Sequence, residues 1–187
     1  MEAMIATIME QLPYVWRDAY LEMVPRPTNI VRFRRDAFEY IYDDYASLEA
    51  TGAVPYDPVM EARLVAVCGC SAPKKGSTDD SRRNGWIGPS KKMFGPGWDK
   101  GHFIANCIGG AVDQSEVNVF VQRSDLNQGR STAGKLYRDM ERYCAAHPGT
   151  FCFSRPLYLD QTAKPAFIEF GVLKTDIVLW VECFDNR

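Results

Sequence analysis

Two stretches of this 187-residue chain place polar side chains at spacings that could do chemistry. The first, Trp98-Asp99-Lys100-Gly101-His102, compresses a carboxylate, an ammonium and an imidazole around one glycine. An imidazole titrates near neutrality, so it can take a proton from an attacking nucleophile at working pH. A structural histidine at a strand end is the plainer role for His102. The second stretch runs from Asn118 to Gly129, and its two asparagines, Asn118 and Asn127, bracket a strand and the turn into a helix. A carboxamide oxygen is a hard ligand of the kind Mg²⁺ accepts, an ion that keeps most of its waters and takes few protein ligands. The competing role for Asn127 is a helix N-cap or turn residue. The other histidine, His147, sits beside Pro148-Gly149 and reads as a cap or solvent-facing residue past a helix.

The elements that must position these groups follow from apolar spacing and punctuation. Met1–Gln11 and Val15–Met23 are apolar at helical spacing, and Pro25 and Pro27 end the run. Asp36–Ala50 places Phe38, Ile41, Tyr45 and Leu48 on one helical stripe, with Gly52 as the stop. Arg63–Cys70 is a buried strand, and Ser71–Pro96 is a long surface loop rich in Gly, Pro, Ser and Lys. Trp98–Ile104 and Val117–Gln122 are strands, and Leu136–Cys144 is helical. Phe151–Asp160 pairs with Pro165–Val172, and Ile177–Phe184 is a last strand. Helices, then strand–loop–strand–helix, then antiparallel strands make an α+β class. The organisation is an acidic helical extension over residues 1–62 and a second domain over 63–187.

Composition bounds the function classes. Hydrophobic residues are 46% and charged residues 25% of the chain, the balance of a globular protein rather than a disordered or fibrous one. No apolar run approaches the ~20 residues of a membrane span, and the first 18 residues lack the basic n-region of a signal peptide. The expectation is therefore a protein made in the cytoplasm without membrane attachment. Net charge is −2, but residues 1–62 carry 11 Asp+Glu against 5 Lys+Arg, a balance of −6. Residues 63–187 carry 13 against 17, a balance of +4. That basic surplus, beginning with Lys74, Lys75, Arg82, Arg83, Lys91 and Lys92, suits a polyanion, although charge runs are commonly solvated loops. The six cysteines read as free thiols, because alternate residues of a strand such as Cys68 and Cys70 point to opposite faces and cannot share one metal.

Asp-Lys-Gly-His followed by the Asn-x₈-Asn spacing and Ser-Asp-Leu-Asn-Gln-Gly (residues 124–129) resembles the DNA/RNA non-specific endonuclease family, whose members include Serratia nuclease and endonuclease G. Arg82-Arg83-Asn84-Gly85-Trp86 and Arg155-Pro156-Leu157-Tyr158 extend the likeness over residues 63–175. The resemblance implies a ββα-metal finger, two strands and a helix clasping one divalent cation. It implies His102 as general base, Asn127 as direct ligand of Mg²⁺ (with Mn²⁺ as substitute), and Asn118 as the residue orienting the histidine ring. Asp99 would hold metal-bound water or brace the finger. Arg83, or Arg82, would bind phosphate.

Two departures from the family pattern matter. Lys100 stands where arginine is usual, retaining charge and losing the bidentate fork. The family's acidic residue after the asparagine is replaced by Lys135, so Glu141 becomes the acidic ligand, with Asp139 as competitor and Arg138 one turn before it. The implied activity is a Mg²⁺-dependent, sugar-non-specific endonuclease acting on DNA and RNA to give 5′-phosphate ends. A nuclease of this kind needs restraint in its own cell, which suggests a bacterial toxin or effector exported by a specialised secretion machine and neutralised by an immunity protein. On that view residues 1–62 are a docking or delivery segment; otherwise they complete the core. Lys100 and the displaced acid favour the alternative of a catalytically weakened nucleic-acid-binding protein. A thiol enzyme pairing His102 with Cys107 or Cys144 is a third class. Oligomeric state is left open.

Overall fold

A computed structural model describes residues 2–73, 94–111 and 116–187. Its first element is a helix, α1 (Glu2–Met23), and next come β1 (Ile30–Arg35), β2 (Phe38–Asp43), the short α2 (Tyr45–Ala50) and β3 (Arg63–Cys70). After them stand β4 (Trp98–His102), β5 (Val119–Arg123), the one-turn α3 (Ser124–Asn127) and α4 (Thr132–Ala146). The chain ends with β6 (Phe151–Leu157), β7 (Phe167–Leu173) and β8 (Leu179–Asp185). Six strands form one antiparallel sheet in the order β1-β2-β3-β6-β7-β8, and β4 with β5 forms a separate antiparallel ribbon. The α+β class is therefore observed.

Residues 36–50 correct the sequence expectation. In place of one helix they form β2, then α2 capped by the Asp44 side chain on the Ser47 amide. Both faces of β2 are covered, so Phe38 and Tyr40 belong to one apolar cluster and Ile41 to the other. Burial on both sides erases the apolar–polar alternation that marks a half-exposed strand. Consequently β1 and β2 are sheet strands, and their pairing continues across residues 62 and 63 through the β2–β3 register, Phe38 opposite Gly69 to Asp43 opposite Arg63.

Two apolar layers sandwich the sheet. On one side α1 lays Trp16 and Tyr20, each 6% exposed, against Ile41, Val65, Phe151 and Phe153, and the Trp16 and Phe153 rings lie 5.0 Å apart. A polar knot fixes the end of this helix. Asp43, wholly buried, accepts hydrogen bonds from Tyr20 Oη (2.8 Å), Arg26 Nη2 (2.8 Å) and the Asn29 amide (3.0 Å), and Arg63 Nε donates to Tyr20 Oη (2.8 Å). These contacts make α1 a layer of the core. On the opposite side Phe38, Tyr40, Leu64, Phe170 and Phe184 meet Tyr137, Met140 and Cys144 of α4, together with Phe120 of the ribbon. This second layer carries the ββα unit. Among the described residues no helix is long and apolar enough to cross a membrane.

Candidate active site on the ββα unit

The ribbon sets the frame. Its register runs from Trp98 opposite Arg123 to His102 opposite Val119. Alternation along β4 turns Trp98, Lys100 and His102 to one face, and all three are half-exposed. Gly101 is buried because Gln122, 1% exposed on the facing strand, lies directly over it, and a Cβ at residue 101 would overlap that side chain. The glycine of the Asp-Lys-Gly-His stretch is thus a close-approach residue. The ribbon is joined to the main body by Asn186, which is fully buried. Its Oδ1 accepts from the Arg123 amide (2.8 Å), and its Nδ2 donates to the carbonyls of Val121 (2.9 Å) and Pro165 (2.8 Å).

Helix α3 follows β5 without a loop, its first amide, that of Ser124, donating to the Gly97 carbonyl at 2.7 Å. This wraps α3 around the Trp98 end of the ribbon and brings Asn127 to Asp99. The Asp99 Oδ2 accepts from Asn127 Nδ2 (3.3 Å) and Gln128 Nε2 (2.5 Å). Helix α4 has its own N-cap, Ser131, whose side chain accepts from the Gly134 amide at 3.0 Å, so Asn127 is not the cap. Gly134 lets α4 press close to α3, since a Cβ there would overlap the Asp125 carbonyl. Arg138, nearly two turns into α4, donates from Nε (3.2 Å) and Nη2 (3.0 Å) to the Asn127 carbonyl and thereby fixes the backbone of Asn127.

Asn118 ties down the turn after His102. Its Oδ1 accepts from the Ile104 amide (3.0 Å), and its two amide protons go to the carbonyls of Ile104 (2.9 Å) and Ala111 (2.8 Å). The side chain is 1% exposed, and a carboxamide so buried must satisfy its donors locally. Both protons are spent on the loop, so Asn118 fixes the backbone that follows His102.

The acidic candidates separate by environment. Asp139 is exposed and pairs with Arg142 at 2.9 Å. Glu141 is half-buried, and burial pushes its carboxyl up to about 7 against the opposing pull of the Arg138 and Arg142 guanidiniums. Lys100 is lowered from the ordinary lysine range by burial. His147 caps α4: its Nδ1 donates to the Tyr143 carbonyl (2.9 Å) and its ring stacks on Tyr143 at 4.3 Å. Burial raises the Cys68 thiol to about 12, far from the thiolate a nucleophile needs, and Cys144 is wholly buried. Arg82 and Arg83 lie outside the described residues, as do Lys74, Lys75, Lys91 and Lys92.

The structure therefore brings together Asp99, Asn127, Gln128 and Arg138; His102 is three residues, or ~10 Å of strand, from Asp99 and, by the alternation along β4, on the other face of the ribbon. Gln128 was not singled out from the sequence, although it adjoins Asn127 in the recognisable hexapeptide. Asp99, Asn127 and Gln128 each carry a hard oxygen of the kind Mg²⁺ or Mn²⁺ accepts, and here the two carboxamides turn their amino groups to Asp99.

No family model matches the chain, and no curated protein matches it. Among solved structures, the chain is similar to one described as Sda1 nuclease with bound zinc ion. The two are 13% identical, the likeness covers 85% of this chain and 74% of that one, and the TM-score is 0.42. The functional reading rests on this chain's own residues.

Proposed function

We propose that this protein is a divalent-cation-dependent endonuclease that hydrolyses phosphodiester bonds of DNA and RNA to leave 5′-phosphate ends. The observation that supports it is the joining of Asp99, Asn127 and Gln128 at the end of a ribbon that also carries Lys100 and His102. Hydrolysis of a phosphodiester leaves the protein little covalent work, so positioning and charge are what it must supply. Asn127 would be the direct ligand of the cation, braced by Asp99 and Gln128, with Glu141, whose carboxyl feels the Arg138 guanidinium, as the acidic candidate. A Mg²⁺ or Mn²⁺ bound there supplies positive charge against the phosphate oxygens and the departing 3′ oxygen.

The remaining roles belong to the chain itself. The His102 imidazole takes a proton from the attacking water, and Lys100 offsets charge on the phosphate. Arg138 fixes Asn127 through its carbonyl, and Asn118 fixes the turn that carries His102. Contacts of this kind grip phosphates and leave base edges unread, which supports tolerance of sequence and of sugar. The test is nicking of supercoiled DNA and cleavage of RNA, each with Mg²⁺ and with excess EDTA, for the native protein and His102→Ala. Cleavage that stops with chelator and with the variant is the expected result. Full cleavage by His102→Ala, or in EDTA, overturns the mechanism. Salt-dependent DNA binding with no cleavage under either cation would instead identify a nucleic-acid-binding protein that has lost the chemistry.

A further inference from the structure

The cationic face of the ribbon does not end at Lys100. Trp98 projects from β4 on the same face as Lys100 and His102, and these side chains recur every ~7 Å along the strand. Over the Trp98 ring, at 3.5 Å from its centroid, sits the ammonium of Lys164. Lys164 belongs to the connection between β6 and β7, remote in sequence from every residue placed in the site above. The loop that carries it is itself well anchored: the Asp160 and Thr162 carbonyls accept from Arg63 Nη1, and Asn186 grips Pro165. Burial lowers the Lys164 ammonium from the ordinary lysine range. An ammonium on an aromatic face, in line with a second cation and an imidazole, is the pattern that holds a phosphate chain with bases free to vary.

We propose that Lys164 and Trp98 form an outer phosphate-binding subsite, which takes the backbone of a nucleic-acid strand beyond the phosphate at Lys100 and His102. The proposal rests on the endonuclease reading for the direction of the strand, but its binding chemistry is independent of cleavage. Lys164 supplies the charge. Trp98 holds that charge in place and offers an edge against which a sugar or base can pack.

The test measures binding of a fluorescein-labelled single-stranded DNA 20-mer by anisotropy from 50 to 300 mM KCl. Both arms carry His102→Ala so that the probe stays intact. Adding Lys164→Ala should weaken binding several-fold at low salt and reduce the slope of log K against log salt by about 0.7, the loss of one phosphate contact on a single strand. Adding Lys164→Arg instead should restore most of the slope, because a guanidinium keeps both the charge and the ring contact. In the cleavage-competent protein the loss from Lys164→Ala should fall on KM more than on kcat. An unchanged slope and affinity in Lys164→Ala, beside a protein that cleaves, overturns the subsite and leaves the nuclease reading standing. A changed slope rescued by arginine, beside a protein that never cleaves, sustains the subsite and overturns the nuclease reading.

Discussion

Glu141→Gln should change how stability depends on pH. In the folded protein the carboxyl titrates at about 7, against 4.5 for an ordinary glutamate. Between those values the native state holds a proton that the unfolded chain has released. Stability is therefore full below about pH 4.5, declines as pH rises towards 7, and stays reduced above it. A rise of about 2.5 pH units at ~1.4 kcal/mol each corresponds to roughly 3.5 kcal/mol. Water reaching the half-buried carboxylate screens part of that, which leaves about 1–3 kcal/mol as the working magnitude. The glutamine variant keeps the shape and carries no charge to desolvate, so this decline should vanish from its profile. Urea denaturation at pH 5, 6, 7 and 8 in EDTA, for both proteins, reads the difference. The variant should become the more stable protein by about 1–3 kcal/mol at pH 8 relative to pH 5. Parallel profiles would refute the argument, because they would show that the carboxyl titrates alike in the folded and unfolded chain.

Two further outcomes test the scaffold. Asn118→Ala removes an acceptor from the Ile104 amide and donors from two carbonyls, and should cost about 2–4 kcal/mol in denaturant titration; it should lower cleavage by loosening the turn after His102, while Asn118→Asp, which keeps the acceptor alone, should recover only part of the stability. Trp16→Ala empties the contact between α1 and Phe153 and should cost about 3–5 kcal/mol in the same experiment, whereas a cost below ~1 kcal/mol would show that α1 is a detachable arm.

What could be read from the sequence depended on how much of each element is written locally. The strands β3, β5, β6 and β7 and the helix α4 lie where apolar runs and Gly or Pro punctuation place them. The β1–β2 hairpin was hidden for two reasons. Its turn is Asp36-Ala37, with Asp36 in the left-handed region at φ 53°, and lacks the Asn-Gly or Asp-Gly pair that announces a hairpin. In addition, Phe38, Ile41 and Tyr45 happen to recur at helical spacing although two of them sit in a strand covered on both sides. At the site, Asp99 and Asn127 were legible through the resemblance, and their meeting is a consequence of α3 folding back at once. Asn186 and Lys164 gave no local signal. Each acts at a distance of forty residues or more along the chain, on Arg123 and Trp98 respectively, and long-range contacts of this sort leave no trace in spacing.

The hydrogen-bonded register between β2 and β3 also bears on modularity. A transplant that carried only residues 63–187 into another polypeptide would take the ribbon and its helices but leave β3 as a bare sheet margin. Val65, Cys68, Phe151 and Phe153 would then face water in place of α1. Such a fragment would present an adhesive flank to its own copies. Recombination that preserved solubility would have to move the N-terminal strands and the cleavage apparatus together, so the unit of inheritance for this fold is larger than the unit of chemistry.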